Sequence, residues 1–142
     1  MDKIFPKKLQ MGDEIRVISP SSSLLRTGSF KEKLIAKKRI ESCGFKVTFG
    51  DHILENDLIN SSSIVSRLED FHAAFADPNV KAVLCTIGGF NSNELLPFIN
   101  WEVIKNNPKI FFVDFQILQP SIKQFLLTQV SLHITDLDIL LF

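Results

Sequence analysis

The residues best suited to chemistry in this sequence surround two adjacent glycines. Thr86 to Leu96 reads Thr-Ile-Gly-Gly-Phe-Asn-Ser-Asn-Glu-Leu-Leu and follows Val80 to Cys85, an apolar, β-branched run with the length of a buried strand. Gly88 and Gly89 can adopt backbone angles closed to other residues and leave their N–H groups uncovered. A developing negative charge could then sit against these amides and the positive end of a following helix. On the glycines alone, a tight turn between strand and helix is the simpler explanation.

A second polar loop follows the first predicted strand. Glu14 to Ser19 alternates in polarity, is rich in β-branched residues and stops at Pro20. Ser21 and Ser22 come next along the chain. Because the carboxyl ends of parallel strands open on one edge of a sheet, where α/β proteins bind ligands, we expect these serines near the diglycine run. A loop whose serines cap their own backbone explains them more simply on composition alone.

The spacing of apolar residues predicts strands that alternate with helices. The expected strands are Glu14 to Ser19, Phe45 to Phe49, Val80 to Cys85 and Lys109 to Phe112. The expected helices are Ser29 to Ser42, a segment from Ser61 to Ala76, and a short connection from Pro97 to Asn107. This alternation indicates a flavodoxin-like, layered α/β domain with a mainly parallel sheet and right-handed crossovers.

The two longer helices have apolar residues at helical spacing. In the first helix the predicted buried face is Phe30, Leu34, Ile35 and Ile40, and its lysines are expected in solvent. In the second helix the predicted buried stripe is Ile64, Leu68, Phe71, Ala74 and Phe75.

Composition excludes several classes of function. The 142 residues fit one domain, and 45% hydrophobic with 23% charged residues is ordinary for a globular protein. Sixteen basic and sixteen acidic residues cancel, so nothing favours binding to nucleic acid or to an anionic membrane. No apolar run has the length of a signal peptide core or a membrane span, which predicts a cytoplasmic protein.

Cysteines and histidines indicate neither a metal nor a cofactor. Cys43 and Cys85 form no Cys-x-x-Cys pair and are interpreted as reduced and buried. His52, His72 and His133 share no metal-ligand spacing with one another or with the cysteines. His72 falls inside the second predicted helix, where a partly buried or surface histidine is expected.

Several segments together resemble a known family. In order, they are Leu9 to Ser22, Ser66 to Pro78, Val80 to Val83, Ile87 to Pro97 and Asn107 to Ile110. The combination is similar to the N-terminal domain of the LD-carboxypeptidase family of serine peptidases. The run Asn91-Ser92-Asn93 looks more like the microcin-immunity branch than the murein-recycling branch.

The resemblance implies a two-domain hydrolase that needs no cofactor and tends to dimerise. Members cleave the bond before a C-terminal residue, in murein tetrapeptides or in microcin-type peptidyl nucleotides, through a Ser-Glu-His triad. The diglycine borders the substrate in such enzymes and supplies an oxyanion-hole N–H. The implied oxyanion or substrate-binding loop is Gly88, Gly89, Phe90, Asn91 and Ser92, and the implied substrate-edge loop is Ser21 and Ser22.

The sequence departs from the family after the fourth strand. Relatives carry their nucleophile there in a Gly-x-Ser-Asp elbow, but Phe112 to Gln119 contains neither serine nor glycine. We therefore expect no retained catalytic residue. Residues 1–112 are predicted to form the N-terminal domain and 113–142 an irregular tail foreign to the family, with the second domain and its Glu and His absent.

A shifted reading frame would explain the tail. Permitted codons for Phe112 to Pro120, read from the third base, can encode Cys-Gly-Phe-Ser-Asp-Ile-Thr-Ala, which is the family's elbow. Two alternatives remain. One is a non-enzymatic α/β module that binds a small peptide or nucleotide at the Gly88-Gly89 loop, with the tail as a last strand and helix. The other is a peptidase with a relocated nucleophile such as Ser92, although a turn or N-cap role explains that serine better.

Overall fold

A computed structural model describes residues 6–27, 29–86, 88–113 and 134–136 of the chain. The strands are β1 (Glu14–Ile18), β2 (Lys46–Phe49), β3 (Val80–Cys85), β4 (Ile110–Val113) and β5 (Ile134–Asp136). The α-helices are α1 (Phe30–Ser42), α2 (Ile64–Ala76) and α3 (Trp101–Asn106), and two 3-10 helices span Leu24–Thr27 and Ser92–Phe98.

The sheet is parallel throughout, with the strand order β2-β1-β3-β4-β5. This confirms the predicted α/β fold, and the order is the one found in flavodoxin-like sheets. The connection from β1 runs outward to β2, and the chain then returns past β1 to form β3. Since the direction of winding reverses between β1 and β3, the crevice at their carboxyl ends is the expected ligand position for such a sheet.

Side chains alternate between the two faces of the sheet along each central strand, and helices cover both faces. On one face, Ile15 and Val17 of β1 pack with Ala82 and Leu84 of β3 under Phe30 of α1. On the other face the core contains residues of β1, β3 and β4 together with α2 and α3: Ile18, Val83, Cys85, Phe111, Phe71, Phe75 and Ile104. The core is thus split into two clusters by the sheet, and each helix is held by one of them.

The predicted buried face of α1 is wrong in part. Leu34 and Ile35 are 37% and 53% exposed, whereas Lys33 and Ala36 are buried. Phe30, Lys33, Ala36 and Ile40 follow one another at intervals of three or four and therefore share a face, which Ile35 does not. Lys33 can lie there because its aliphatic stem covers apolar surface.

Two other local predictions need correction. The helix expected over Pro97 to Asn107 is instead the end of a 3-10 helix followed by α3, which starts later because the Asn100 side chain accepts from the N–H groups of Glu102 and Val103. Cys43 is exposed, since it terminates α1 on the solvent side, whereas Cys85 is buried as predicted.

The tail predicted to be irregular contains a strand. Residues 134–136 pair parallel to β4, with Phe111 opposite Ile134. Ile134 and Thr135 are β-branched, a residue type that is common in strands. The rest of the tail, 114–133 and 137–142, lies outside the described residues, as does Ile87.

Candidate functional site

The loops after β1 and β3 are joined directly at the carboxyl edge of the sheet. The Thr86 N–H donates to the Ile18 carbonyl at 2.9 Å, which extends the ladder one residue past β3. The hydroxyls of Ser19 and Thr86 are hydrogen-bonded at 3.0 Å. The serine loop and the diglycine loop therefore leave the sheet side by side, as the sequence predicted.

A closed ring of hydrogen bonds adds a third loop, the one that leads into α2. Ser21 Oγ donates to Asn91 Oδ1 at 2.7 Å, and Asn91 Nδ2 donates to Ser61 Oγ at 3.0 Å. Ser61 Oγ in turn donates to the Ser21 carbonyl at 2.7 Å. All three residues are at most 3% exposed. Since buried polar groups are costly when unpaired, this ring favours one arrangement of the three loops.

Arg67 of α2 holds the same three loops from below. Its Nη1 donates to the carbonyls of Pro20 and Asn91 at 3.2 and 3.0 Å, and its Nε donates to the Ser62 carbonyl at 3.1 Å. Its Nη2 forms an ion pair with Glu94 at 2.7 Å, so this arginine, 4% exposed, does not carry an isolated charge into the interior.

Sequence reasoning missed Arg67, although a signal was present. It lies three residues after Ile64 and four before Phe71, so it falls inside the apolar stripe of α2. A charged residue at such a position requires buried partners, and these partners are the site loops.

Gly89 lies so close to the serine loop that there is no space for a side chain at this position. Its φ lies outside the left-handed region, which among the described glycines is occupied by Gly12 and Gly44. A Cβ at Gly89 would instead collide with Ser21 Oγ and would lie 2.5 Å from Ser22 Oγ. The expectation of unusual backbone angles is thus wrong for Gly89, and lack of space is the reason for a glycine there.

Arg26, which is exposed, contacts both the serine loop and the diglycine loop. Its Nη1 donates to Ser22 Oγ at 2.8 Å and to the Gly88 carbonyl at 3.2 Å. Because the C=O and N–H of a trans peptide point in opposite directions, the Gly89 N–H points away from Arg26. Phe90, 72% exposed, follows at the rim of the same loop.

The structure brings together five of the predicted site residues and leaves two at the margin. Ser92 begins a 3-10 helix and is half-buried, and Phe90 projects to solvent. Ser23 Oγ accepts from the Leu25 N–H at 3.3 Å, so self-capping explains this one serine of the loop. The residues brought together are Ser21, Ser22, Gly88, Gly89 and Asn91.

His52 ties the loop after β2 to α2 on the flank of the site. Its Nδ1 is 2.6 Å from Glu55 Oε1, its Nε2 is 2.9 Å from Glu69 Oε2, and its backbone N–H donates to Asp70. The hydrogen bond with Glu55, above all, raises the pKa of His52. Burial raises the pKa of Asp70.

Two findings concern only the described part of the chain. It contains no group of three His, Cys, Asp or Glu side chains placed to hold a metal ion, and His133 lies outside it. None of its helices is long and apolar enough to cross a membrane.

Comparison with known proteins gives consistent matches. A sequence profile of the LD-carboxypeptidase N-terminal domain matches residues 15–122. YocD of Bacillus subtilis, which is named as a carboxypeptidase, is 48% identical over 107 residues, covering 75% of this chain and 33% of YocD. An MccF-like protein from Bacillus anthracis has a solved structure with TM-score 0.74 and 52% identity, covering 77% of this chain and 33% of that one.

A further solved structure was determined with a ligand. The microcin C7 self-immunity protein MccF, known from Escherichia coli, in complex with aspartyl sulfamoyl adenosine has TM-score 0.72 and 30% identity, covering 78% of this chain and 33% of that one. The present chain therefore spans about a third of the length of the relatives it matches.

Proposed function

The chain belongs to the LD-carboxypeptidase family, and from this membership we propose that residues 1–112 are the substrate-bordering N-terminal domain of a cytoplasmic serine carboxypeptidase. The observation that carries the proposal is the diglycine loop at the β1/β3 crevice. The Gly88 carbonyl points toward Arg26, so the N–H of Gly89 points the opposite way. In this orientation the N–H can donate a hydrogen bond to an oxyanion.

The substrate class follows from the relatives. MccF has been solved with aspartyl sulfamoyl adenosine and with glutamyl sulfamoyl guanosine, and another relative is named a murein tetrapeptide carboxypeptidase. We propose peptides or peptidyl nucleotides with a cleavable C-terminal part as the substrates of the intact enzyme, which we expect to be a homodimer.

In that enzyme, the chain's own residues supply positioning and one electrostatic element. A serine attacks the scissile carbonyl, a histidine takes its proton, and a glutamate orients the histidine. The Gly89 N–H stabilises the negative oxygen, a contribution worth about a hundredfold to a thousandfold in rate for one such donor. The ring of Ser21, Ser61 and Asn91, with Arg67 beneath it, keeps this N–H in place.

As the sequence stands, we propose that the chain is inactive. Phe112 to Gln119 lacks the serine that relatives carry after this strand. Nucleophile and base act as a unit, so losing them removes essentially all covalent catalysis. Purified chain should therefore release no C-terminal residue from a murein tetrapeptide or a peptidyl nucleotide. Turnover that disappears in Ser92→Ala would instead support the relocated nucleophile.

A chimera tests the domain assignment itself. Residues 1–111 are joined to the part of YocD that follows the matched region, which supplies an elbow and a second domain. We expect carboxypeptidase activity, and its loss when the elbow serine of the YocD part is replaced by alanine. A folded chimera that cleaves neither substrate would refute the proposed function. Sequencing the gene from the Lys109 codon onward tests the shifted frame separately, because the neighbouring frame must encode the elbow.

One observation favours the second candidate, a non-enzymatic binding module. Residues 134–136 pair with β4, as expected if the tail were a native part of the fold. A closed or unrelated neighbouring frame in the gene would support this candidate, as would ligand binding at the Gly88-Gly89 edge by a chain that unfolds cooperatively only with its tail.

A further inference from the structure

Arg67 and Arg26 both contact the site loops, but only the charge of Arg67 is paired with a carboxylate among the described residues. Arg67 is buried and paired with Glu94 at 2.7 Å. Arg26 is exposed, and the partners found for it are neutral oxygens, Ser22 Oγ and the Gly88 carbonyl. Among the described residues, no carboxylate lies within 4.0 Å of Arg26. The loops after β1 and β3 therefore carry an exposed positive charge that no carboxylate of the described residues compensates.

The guanidinium of Arg26 is also held in position. Both of its contacts are made by Nη1, and both partners are buried: Ser22 is 5% exposed and Gly88 is buried. A planar guanidinium presents several donors in a fixed fork that matches carboxylate and phosphate oxygens. Because Nη1 is already held, the side chain loses less conformational freedom when the other guanidinium nitrogens bind an anion.

The position of this charge relative to the diglycine loop suggests its ligand. Arg26 contacts the carbonyl side of the Gly88–Gly89 peptide, whose N–H side is the proposed oxyanion donor. Arg26 Nη1 lies 3.2 Å from the Gly88 carbonyl oxygen, so one peptide group separates the guanidinium from the Gly89 N–H. A carboxypeptidase substrate carries its free carboxylate one residue beyond the scissile carbonyl, and a peptidyl nucleotide carries a phosphate-like group there.

We propose that Arg26 binds the anionic group of the substrate's C-terminal part, either a peptide carboxylate or a nucleotide phosphate. The identity of that substrate rests on the proposed function, but the anion affinity of Arg26 does not. Arg26 thus acts as a specificity residue that distinguishes a free C-terminus from a blocked one.

The test is a titration of the complete 142-residue chain followed by NMR, through the Nε–Hε signal of Arg26 and the amides of Gly88 and Gly89. The probes are the dipeptide L-alanyl-D-alanine, the same dipeptide with a C-terminal amide, and adenosine monophosphate. We expect the acid to shift these signals and the amide to leave them unchanged. The comparison of acid with amide needs no variant, so it holds even if a substitution impairs folding.

Variants assign the effect to the residue. Arg26→Gln should weaken binding of the anionic probe about tenfold or more, the usual loss for a hydrogen bond to a charged group. Arg39→Gln, which removes an exposed arginine from α1, is the matched control and should bind as the unchanged chain does. Shifts by the acid alone identify a peptide carboxylate as the ligand, and shifts by adenosine monophosphate alone identify a phosphate.

Three results would overturn the proposal: shifts of equal size produced by the acid and by its amide, unchanged binding of the anionic probe in Arg26→Gln, or no shift with either anion. The chimera with YocD separates this outcome from the proposed function. An active chimera whose KM is insensitive to Arg26→Gln would refute the role of Arg26 alone. Anion binding through Arg26 in a chain whose chimera is inactive would refute the peptidase alone.

Discussion

Gly89 has no room for a side chain. A methyl group there would collide with Ser21 Oγ and crowd Ser22 Oγ, and both serines belong to a loop that is fixed by buried hydrogen bonds. We expect Gly89→Ala to lower the free energy of unfolding by about 1–3 kcal/mol, the usual cost of overpacking. Urea unfolding followed by circular dichroism measures it.

Phe90→Ala is the matched control for this substitution. It changes the neighbouring position of the same loop, where the side chain is 72% exposed, so the unfolding midpoint should move little. An unchanged midpoint in Gly89→Ala would mean that the serine loop moves aside at low cost, and the close approach would then not explain the glycine.

His52 and His72 should affect stability in opposite directions as the pH changes. The pKa of His52 is raised, chiefly by Glu55, so its stabilising contribution is complete below its usual value of 6.5 and is lost as the pH rises through the raised value. Burial lowers the pKa of His72, whose Nε2 accepts from the Asn100 N–H at 2.9 Å. Its contribution is complete above 6.5 and is lost as the pH falls through the lowered value.

Separate glutamine variants resolve these two contributions. Relative to the unchanged chain, His52→Gln should lose stability mainly on the acid side of the range between about pH 5 and 8. His72→Gln should lose stability mainly on the alkaline side, where the neutral imidazole accepts its hydrogen bond. Unfolding midpoints across this range check both signs, and parallel curves for the two variants would contradict the assignment.

At the scale of elements, Glu14 connects β1 to its neighbours at the amino edge of the sheet. It accepts from Lys46 Nζ at 2.8 Å, from Thr48 Oγ1 at 2.6 Å and from Arg16 Nη2 at 3.0 Å. Burial alone would raise the pKa of this carboxyl, but these hydrogen bonds outweigh it and lower the pKa to about 2.

This carboxylate should make the sheet sensitive to acid. The folded pKa lies below the usual value of 4.5, so the stabilisation is complete above 4.5 and is lost as the pH falls toward about 2. Glu14→Gln should be less stable than the unchanged chain at neutral pH and should show a flatter acid limb. Glu102→Gln, which changes an exposed carboxyl on α3, is the control and should leave the limb unchanged. Equal acid limbs in all three proteins would refute the role of Glu14.

Elements were predictable where local chemistry decides them. The strand Val80–Cys85 was predicted to the residue because an apolar, β-branched run precedes the diglycine loop, and α2 was predicted because its apolar residues recur at helical spacing. The face of α1 was not found, because Lys33 and Ala36 are buried only through the packing of that helix on the sheet. Periodicity assigns lysines to solvent, and it fails for Lys33, whose aliphatic stem covers apolar surface.

The position of the site in the fold could be predicted from the sequence, but most of its side-chain contacts could not. The alternation of strands and helices put the loops of Ser21 and Gly88 on one edge, and parallel order confirmed it. The bond from Asn91 to Ser61 depends on a loop whose path no local pattern encodes. Arg26 is likewise identified only by its distance to Gly88, since in the sequence it is one arginine beside a turn.

For the whole molecule, the tail decides between the two candidate functions. If residues 113–142 are foreign to the family, their pairing with β4 contributes little, and the apolar end Leu-Asp-Ile-Leu-Leu-Phe favours aggregation. We therefore expect a chain ending at Val113 to be more soluble than the complete chain and to unfold at the same urea midpoint.

A chain that ends at residue 133 is the matched control, because it removes β5 and keeps the intervening segment. For a native tail, loss of β5 would expose the edge of β4, so both shortened chains would be destabilised by more than about 1 kcal/mol, with a smaller denaturant slope because less surface is buried. That result would refute the foreign tail and favour the binding module. Equal midpoints and slopes in all three chains would leave residues 6–113 as the folded unit to which an active second domain can be joined.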